Sequence, residues 1–287
     1  MKIKLSITFI VIISVLLYSC QKEPINEVTV VDDTANDVVV NYLHISHTRT
    51  DNVSGVYPII NDINYKDYDM LWLGGDLSGS TSSTDSNMSY ISSIFDLSDE
   101  NTLWALGNHD YTNLQLIESY TNRPPFYTYF KNGITFIVMD TQDSVSNIVG
   151  QQLDMFNNVI DTISESSFLV LLQHKLTWMY GNPELEPQID SVSNGMYGSC
   201  FYCINPNNFY QDIYPKLVQV KNKGIDVICV AGDIGFKTKK FEYYTNDSIV
   251  FIASGMKYND SINYGLVFKH NITKQQMVWN YVLVTDL

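Results

Sequence analysis

Four stretches of this chain end an apolar run on a side chain able to hold a metal ion. Leu71-Trp72-Leu73-Gly74-Gly75 runs into Asp76, Phe168-Leu169-Val170-Leu171-Leu172-Gln173 into His174, and Val227-Ile228-Cys229-Val230-Ala231-Gly232 into Asp233. The fourth, Leu103-Trp104-Ala105-Leu106-Gly107, gives way to Asn108-His109-Asp110. Carboxylate, amide and imidazole are the oxygen and nitrogen donors that divalent cations take. Singly, each has an ordinary explanation: Asp76 a turn residue, His174 a hydrogen-bonded core histidine, Asp233 a helix cap. Together, at the ends of four buried strands, they describe a metal site, because open α/β folds bind ligands at the edge where strands end.

The elements that must carry these groups follow from hydrophobic periodicity. Strands are expected at 38–47, 68–76, 103–107, 168–174 and 225–233, and helices at 88–97, 114–120, 151–163 and 209–223. Residues 126–130 and 134–140, joined by Lys131-Asn132-Gly133, read as a hairpin. Segments 239–244, 248–254, 264–270 and 277–284 read as later hairpin strands, and 48–66 as loop with a short helix. Strands alternating with helices, then hairpins, predict an α/β fold of two packed mixed sheets flanked by helices. Residues 176–208, rich in Asn, Pro, Gly and Ser, form an insertion directly after His174, where specificity loops commonly lie. Its aromatic residues Trp178, Tyr180, Tyr197, Phe201 and Tyr202 suit either stacking on a base or sugar or packing onto the domain.

Composition narrows the partners. The chain has 287 residues, is 45% apolar and carries a net charge of -14, which argues against a nucleic-acid surface. An anionic substrate remains compatible, since a bound cation reverses the local sign. Met1-Lys2-Ile3-Lys4 is basic and the following residues to Leu17 are almost wholly apolar, a run too short for a comfortable membrane span. Leu17-Tyr18-Ser19-Cys20 then resembles the bacterial lipoprotein signal, whose cysteine becomes the lipidated first residue. The expected organisation is a signal peptide at 1–19, a tether at 20–37 attached through Cys20 to the membrane of the cell envelope, and one domain at 38–287. Cys200 and Cys203 are expected as a local disulfide or two free thiols, and Cys229 as core.

In order and approximate spacing these motifs resemble the calcineurin-like metallophosphoesterases. That family's signature is Asp-x-His, Gly-Asp, Gly-Asn-His-Asp or Glu, a lone His, then Gly-His-x-His. Here stand His47-Thr48-Arg49, Gly75-Asp76, Gly107-Asn108-His109-Asp110, His174 and Gly232-Asp233-Ile234-Gly235, with Phe251 to Gly255 similar to the closing strand. The resemblance implies a four-layer α/β/β/α sandwich and hydrolysis of phosphoesters by two cations about 3.5–4 Å apart. By the same resemblance Asp76 bridges the metals, Asn108 and His174 belong to the second, His109 protonates the leaving oxygen, and Asp110 orients His109.

The departures fall on one side. Three first-metal groups are replaced, by His47, Arg49 and Gly235, and on the second-metal side Asp233 stands for an imidazole. His47 can ligate, whereas a guanidinium has no free lone pair. One divalent ion, Mn, Fe, Zn or Mg, is therefore expected ahead of two. Arg49 either supplies the missing positive charge to a substrate phosphate or sulfate, or pairs with Asp76 in a dead site. Retention of His109 and Asp110 ranks phosphoester hydrolysis, on a phosphorylated small molecule or polymer, first. An inactive lipoprotein that binds a phosphorylated or glycan ligand, or a component of a surface uptake system, follows.

Overall fold

The computed structural model describes residues 37–287; the expected signal peptide, Cys20 and the tether up to residue 36 lie outside them. Two mixed sheets form the domain. The first has the order β11-β10-β1-β2-β3, from β11 (Gln276–Leu283), β10 (Tyr264–Asn271), β1 (Val39–Ile45), β2 (Met70–Leu73) and β3 (Thr102–Trp104). The second has the order β4-β5-β6-β7-β9-β8, from β4 (Tyr127–Lys131), β5 (Ile134–Val138), β6 (Phe168–Gln173), β7 (Asp226–Ala231), β9 (Val250–Ser254) and β8 (Lys240–Tyr244). Neighbours β1-β2-β3 and β5-β6-β7-β9 run parallel, so each of these strands ends on the same edge of its sheet.

The burial pattern explains which runs became central. β2 and β6 are buried at every position, as parallel strands covered on both faces must be, whereas the edge strands β4 and β8 alternate with solvent. Between the sheets lies one apolar layer built around Trp72, whose ring centroid is 4.6 Å from Phe268, 5.2 Å from Phe136 and 5.3 Å from Tyr42. Outside the first sheet, α1 (Asp85–Phe95) and α2 (Leu114–Thr121) bury Met88, Ile91, Phe95 and Ile117. Outside the second, α3 (Gly150–Thr162) buries Phe156 and Ile160, and a helix in 214–222 buries Leu217 and Val220. The layers are thus α/β/β/α, as expected from the motifs.

Differences from the sequence-based expectation are local. Residues 48–66 hold two short 3₁₀ turns, Pro58–Asp62 and Tyr65–Asp67. The helix expected at 209–223 opens as a π-helical turn, Phe209–Ile213, closed by the Tyr214 N–H on the Phe209 carbonyl, with Pro215 in the first turn of the helix that follows. The insertion contains α4 (Ile189–Val192), and the helix after the π turn is α5 (Tyr214–Asn222). The last hairpin, β10–β11, joins the first sheet beside β1, at the opposite end of the described chain.

The two sheets touch where the ligand-bearing strands end. A Cβ on Gly232 would lie 2.1 Å from the Gly74 carbonyl oxygen and 2.2 Å from Ser46 Oγ, so only glycine permits this approach. Ser46 Oγ reaches both the Gly232 carbonyl (2.9 Å) and the Gly75 carbonyl (3.1 Å), tying the edges together.

Candidate metal centre

Each functional side chain leaves a strand at that shared edge. His47 follows β1, Asp76 follows β2, Asn108 and His109 follow β3, His174 follows β6 and Asp233 follows β7. His47 and Asp76 hold left-handed backbone conformations, with φ of 57° and 55°. Non-glycine residues in that region store strain, and such strain concentrates at functional sites.

The structure gathers His47, Asp76, His174 and Asp233 around one point. His47 Nε2 is 3.0 Å from Asp76 Oδ2 and 3.7 Å from Asp233 Oδ1; His174 Nε2 is 3.7 Å from Asp76 Oδ1 and 3.8 Å from Asp233 Oδ1. The donor atoms of His47, His174 and Asp233 all lie within 4.8 Å of one another, and all three residues are buried. Two ligands about 2.1 Å from one tetrahedral ion stand about 3.4 Å apart, so these spacings suit a single first shell after small adjustments. His47, assigned by motif order to a different metal from His174 and Asp233, shares their cluster instead.

The donor chemistry fits a cation. His174 Nδ1 donates to the Gly74 carbonyl (2.6 Å), which fixes the tautomer and leaves the Nε2 lone pair facing the cluster. That Nε2 is buried without a hydrogen-bond partner among the described residues, a costly state unless a cation or a proton meets it. Burial by itself would raise the Asp76 carboxyl and depress the His47 imidazolium. Without a cation, positive charge on the His174 and His47 imidazoles would reverse the first and hold Asp76 well below the usual carboxylate range; Asp76 and Asp233 reverse the second and raise His47 to about 9.

Asn194, absent from the expected set, comes from the insertion. The Phe236 N–H donates to its Oδ1 (2.9 Å), which turns its amide N–H toward His47 Nε2, also at 2.9 Å. That contact needs a lone pair on His47, while the Asp76 contact needs a proton there, so Asn194 opposes the imidazolium. The Asn194 backbone N–H also donates to the Asp233 carbonyl (3.0 Å), fastening the insertion to the end of β7. The only hint in the sequence was an Asn-Gly pair inside an insertion that follows a ligand strand.

The other expected residues divide. Asn108, His109 and Arg49 line the same cavity of about 410 Å³, with Tyr202 and Phe236 on its rim. His109 Nδ1 donates to the Gly79 carbonyl (2.7 Å), leaving Nε2 on the cavity side, 4.0 Å from Asp76 Oδ2. Arg49 stacks over Phe236 at 5.4 Å, and its buried Nε, 3.9 Å from Asp76 Oδ2, has no hydrogen-bond partner among the described residues. Asp110 does not orient His109. Its carboxylate instead accepts from the N–H groups of Asp76 (2.7 Å), Leu77 (3.1 Å) and Gly107 (2.8 Å) and from Thr81 Oγ1. In this turn the carboxylate one residue beyond His109 faces back into the loops after β2 and β3. Burial, then the Asp76 charge, pushes its carboxyl up.

Of the insertion aromatics, Trp178 is core, stacked on Phe251 at 5.0 Å, and Tyr180 stacks on Tyr197; only Tyr202 reaches the cavity. Cys200 and Cys203 form a disulfide beside it. Fully buried Lys175, lowered by burial to about 8, anchors that loop through the Phe201 carbonyl (2.7 Å) and Ser146 Oγ (3.2 Å). A larger hollow of about 570 Å³ lies along the insertion between Gly181 and Tyr197, but it offers two carboxylates and no imidazole.

No family model matches the chain, and no curated protein does. Among solved structures it is similar to a dimetal phosphatase from Danio rerio, at 9% identity and a TM-score of 0.48, over 86% of this chain and 99% of that one. It is also similar to a 5'-nucleotidase precursor from Thermus thermophilus, at 10% identity and a TM-score of 0.44, over 86% of this chain and 54% of that one. A third is the NAD nucleotidase of Haemophilus influenzae, at 13% identity and a TM-score of 0.43, over 86% and 49%. The chain spans about half the length of these two nucleotidases.

Proposed function

We propose that this domain is a metal-dependent phosphoester hydrolase with one resident divalent cation, anchored to the bacterial cell envelope through Cys20. The observation that carries the reading is His174, whose Nδ1–H is committed to Gly74 and whose buried Nε2 lone pair has no protein partner among His47, Asp76 and Asp233. His47, His174 and Asp233 would hold the ion, with Asp76 beside them. The cation supplies positive charge against phosphoryl oxygens and acidifies water.

The chain's own residues divide the remaining work. His109, held through its Nδ1–H by the Gly79 carbonyl, turns Nε2 toward the leaving oxygen and would protonate it from the imidazolium form. Arg49, on the cavity wall beside Asp76, offers its guanidinium to a phosphoryl oxygen, whose geometry a bidentate guanidinium suits. Asn108 and Asn194 contribute amides to the same wall. The substrate is a phosphorylated small molecule or polymer, and with a net charge of -14 the surface is unsuited to nucleic acid.

Hydrolysis of 4-nitrophenyl phosphate by the manganese-loaded protein tests the reading. His109→Ala should lower kcat by about 10²–10⁴ while leaving cation affinity intact. A cation-binding protein without turnover on any phosphoester would instead be the inactive ligand-binding lipoprotein, with Arg49 serving only to neutralise Asp76. Incorporation of labelled fatty acid, abolished by Cys20→Ala, tests the anchor.

A further inference from the structure

Arg49 and Phe236 do not close the metal cavity; they divide it from a second hollow of about 250 Å³, and with His47 they line both. His109 and Tyr202 belong only to the first hollow, whereas Asp51, Lys257 and Tyr258 belong only to the second. Lys257 is fixed at its base by Asn263, which accepts from its N–H (2.9 Å) and donates to its carbonyl (3.0 Å). Its ammonium makes no salt bridge among the described residues: nearby Asp260 pairs with Lys239 at 2.7 Å. In a chain with 31 acidic and 17 basic residues, two cations against one carboxylate in a hollow beside the metal centre form a local reversal of charge. Focused positive charge of that kind selects anions.

Building on the phosphoester reading above, we infer that the substrate carries a second anionic group, on the side of Arg49 away from His109, where Lys257 receives it. The scissile phosphate lies over the metal donors with its leaving oxygen toward His109. Arg49 sits between the two negative groups and faces both hollows. A phosphate, sulfate or carboxylate in the second hollow would satisfy Lys257 equally well.

Calorimetry on the cation-loaded full chain tests this with α,ω-alkylene bisphosphonates of increasing spacer length and the matching alkyl monophosphonates. At one spacer length the bisphosphonate should bind about fivefold more tightly than its monophosphonate, the gain an exposed charge pair supports. Lys257→Met should remove that gain and leave monophosphonate affinity unchanged; Lys257→Arg should restore it. Equal affinities at every spacer length, or a gain that survives Lys257→Met, would overturn the inference while leaving the phosphoester site standing. If no monophosphonate binds, the phosphoester reading itself fails, and this inference with it.

Discussion

At the residue scale, adjacent His109 and Asp110 do different jobs. Asp110 is buried and satisfies three backbone N–H groups and a hydroxyl, so Asp110→Ala would leave several buried donors unpaired. A loss of about 3–5 kcal/mol in unfolding free energy is expected, against less than about 1 kcal/mol for His109→Ala, measured by denaturant unfolding. Similar losses for the two variants would contradict the division. His47 gives a pH signature in the metal-free protein. It is raised from 6.5 to about 9 in the fold, so its contribution is complete below pH 6.5 and is lost as pH climbs toward 9. Lys175, lowered from 10.5 to about 8, acts with the opposite sign, restoring stability between pH 8 and 10.5. Chelated protein should therefore lose stability from pH 6.5 to 8, and His47→Gln should flatten that slope in thermal melts. Because a cation on His47 displaces its proton, cation affinity should fall about tenfold per pH unit below 9. Asp76, His174 and Asp233 were legible because each closes an apolar run. Asn194 was not, because its place beside His47 depends on how a loop folds over β7, and the part of Asp110 depends on which way one turn faces.

At the element scale, glycines set how closely the sheets approach. Gly232→Ala would drive a methyl into the Gly74 carbonyl and Ser46 Oγ, both held by hydrogen bonds. The edges must part, and a loss of about 1–3 kcal/mol is expected, together with weaker cation binding, since His174 and Asp233 flank that contact. Calorimetric unfolding and a cation titration check both; an unchanged cation affinity would mean that the approach of the sheets does not position the ligands. Strand identities and the first three longer helices could be read from periodicity, because buried parallel strands are apolar throughout and α1, α2 and α3 keep one apolar stripe. The pairing of β10 with β1 could not, since alternation specifies which face of a strand is buried and says nothing about its neighbour. The irregular course of 176–208 was equally hidden, being held by contacts such as Lys175 to Phe201 and not by local propensity.

At the scale of the whole molecule, the candidate metal cluster joins both sheets and the insertion through His47, Asp76, His174, Asp233 and Asn194. A cation bound there would therefore stabilise the fold by mass action. Saturation at about 100 times the dissociation constant contributes about 2.7 kcal/mol, and chelation should lower Tm by about 5–10 °C. The expected single metal separates this chain from a two-metal design, and it follows from Arg49 and Gly235 standing where ligands would be needed. Metal content of the protein purified without chelators, set beside His174→Ala, tests this most directly. About one Mn, Fe, Zn or Mg ion per chain, absent from the variant, is the expected result. Two ions per chain, or one that persists in His174→Ala, would contradict the single cluster of His47, His174 and Asp233.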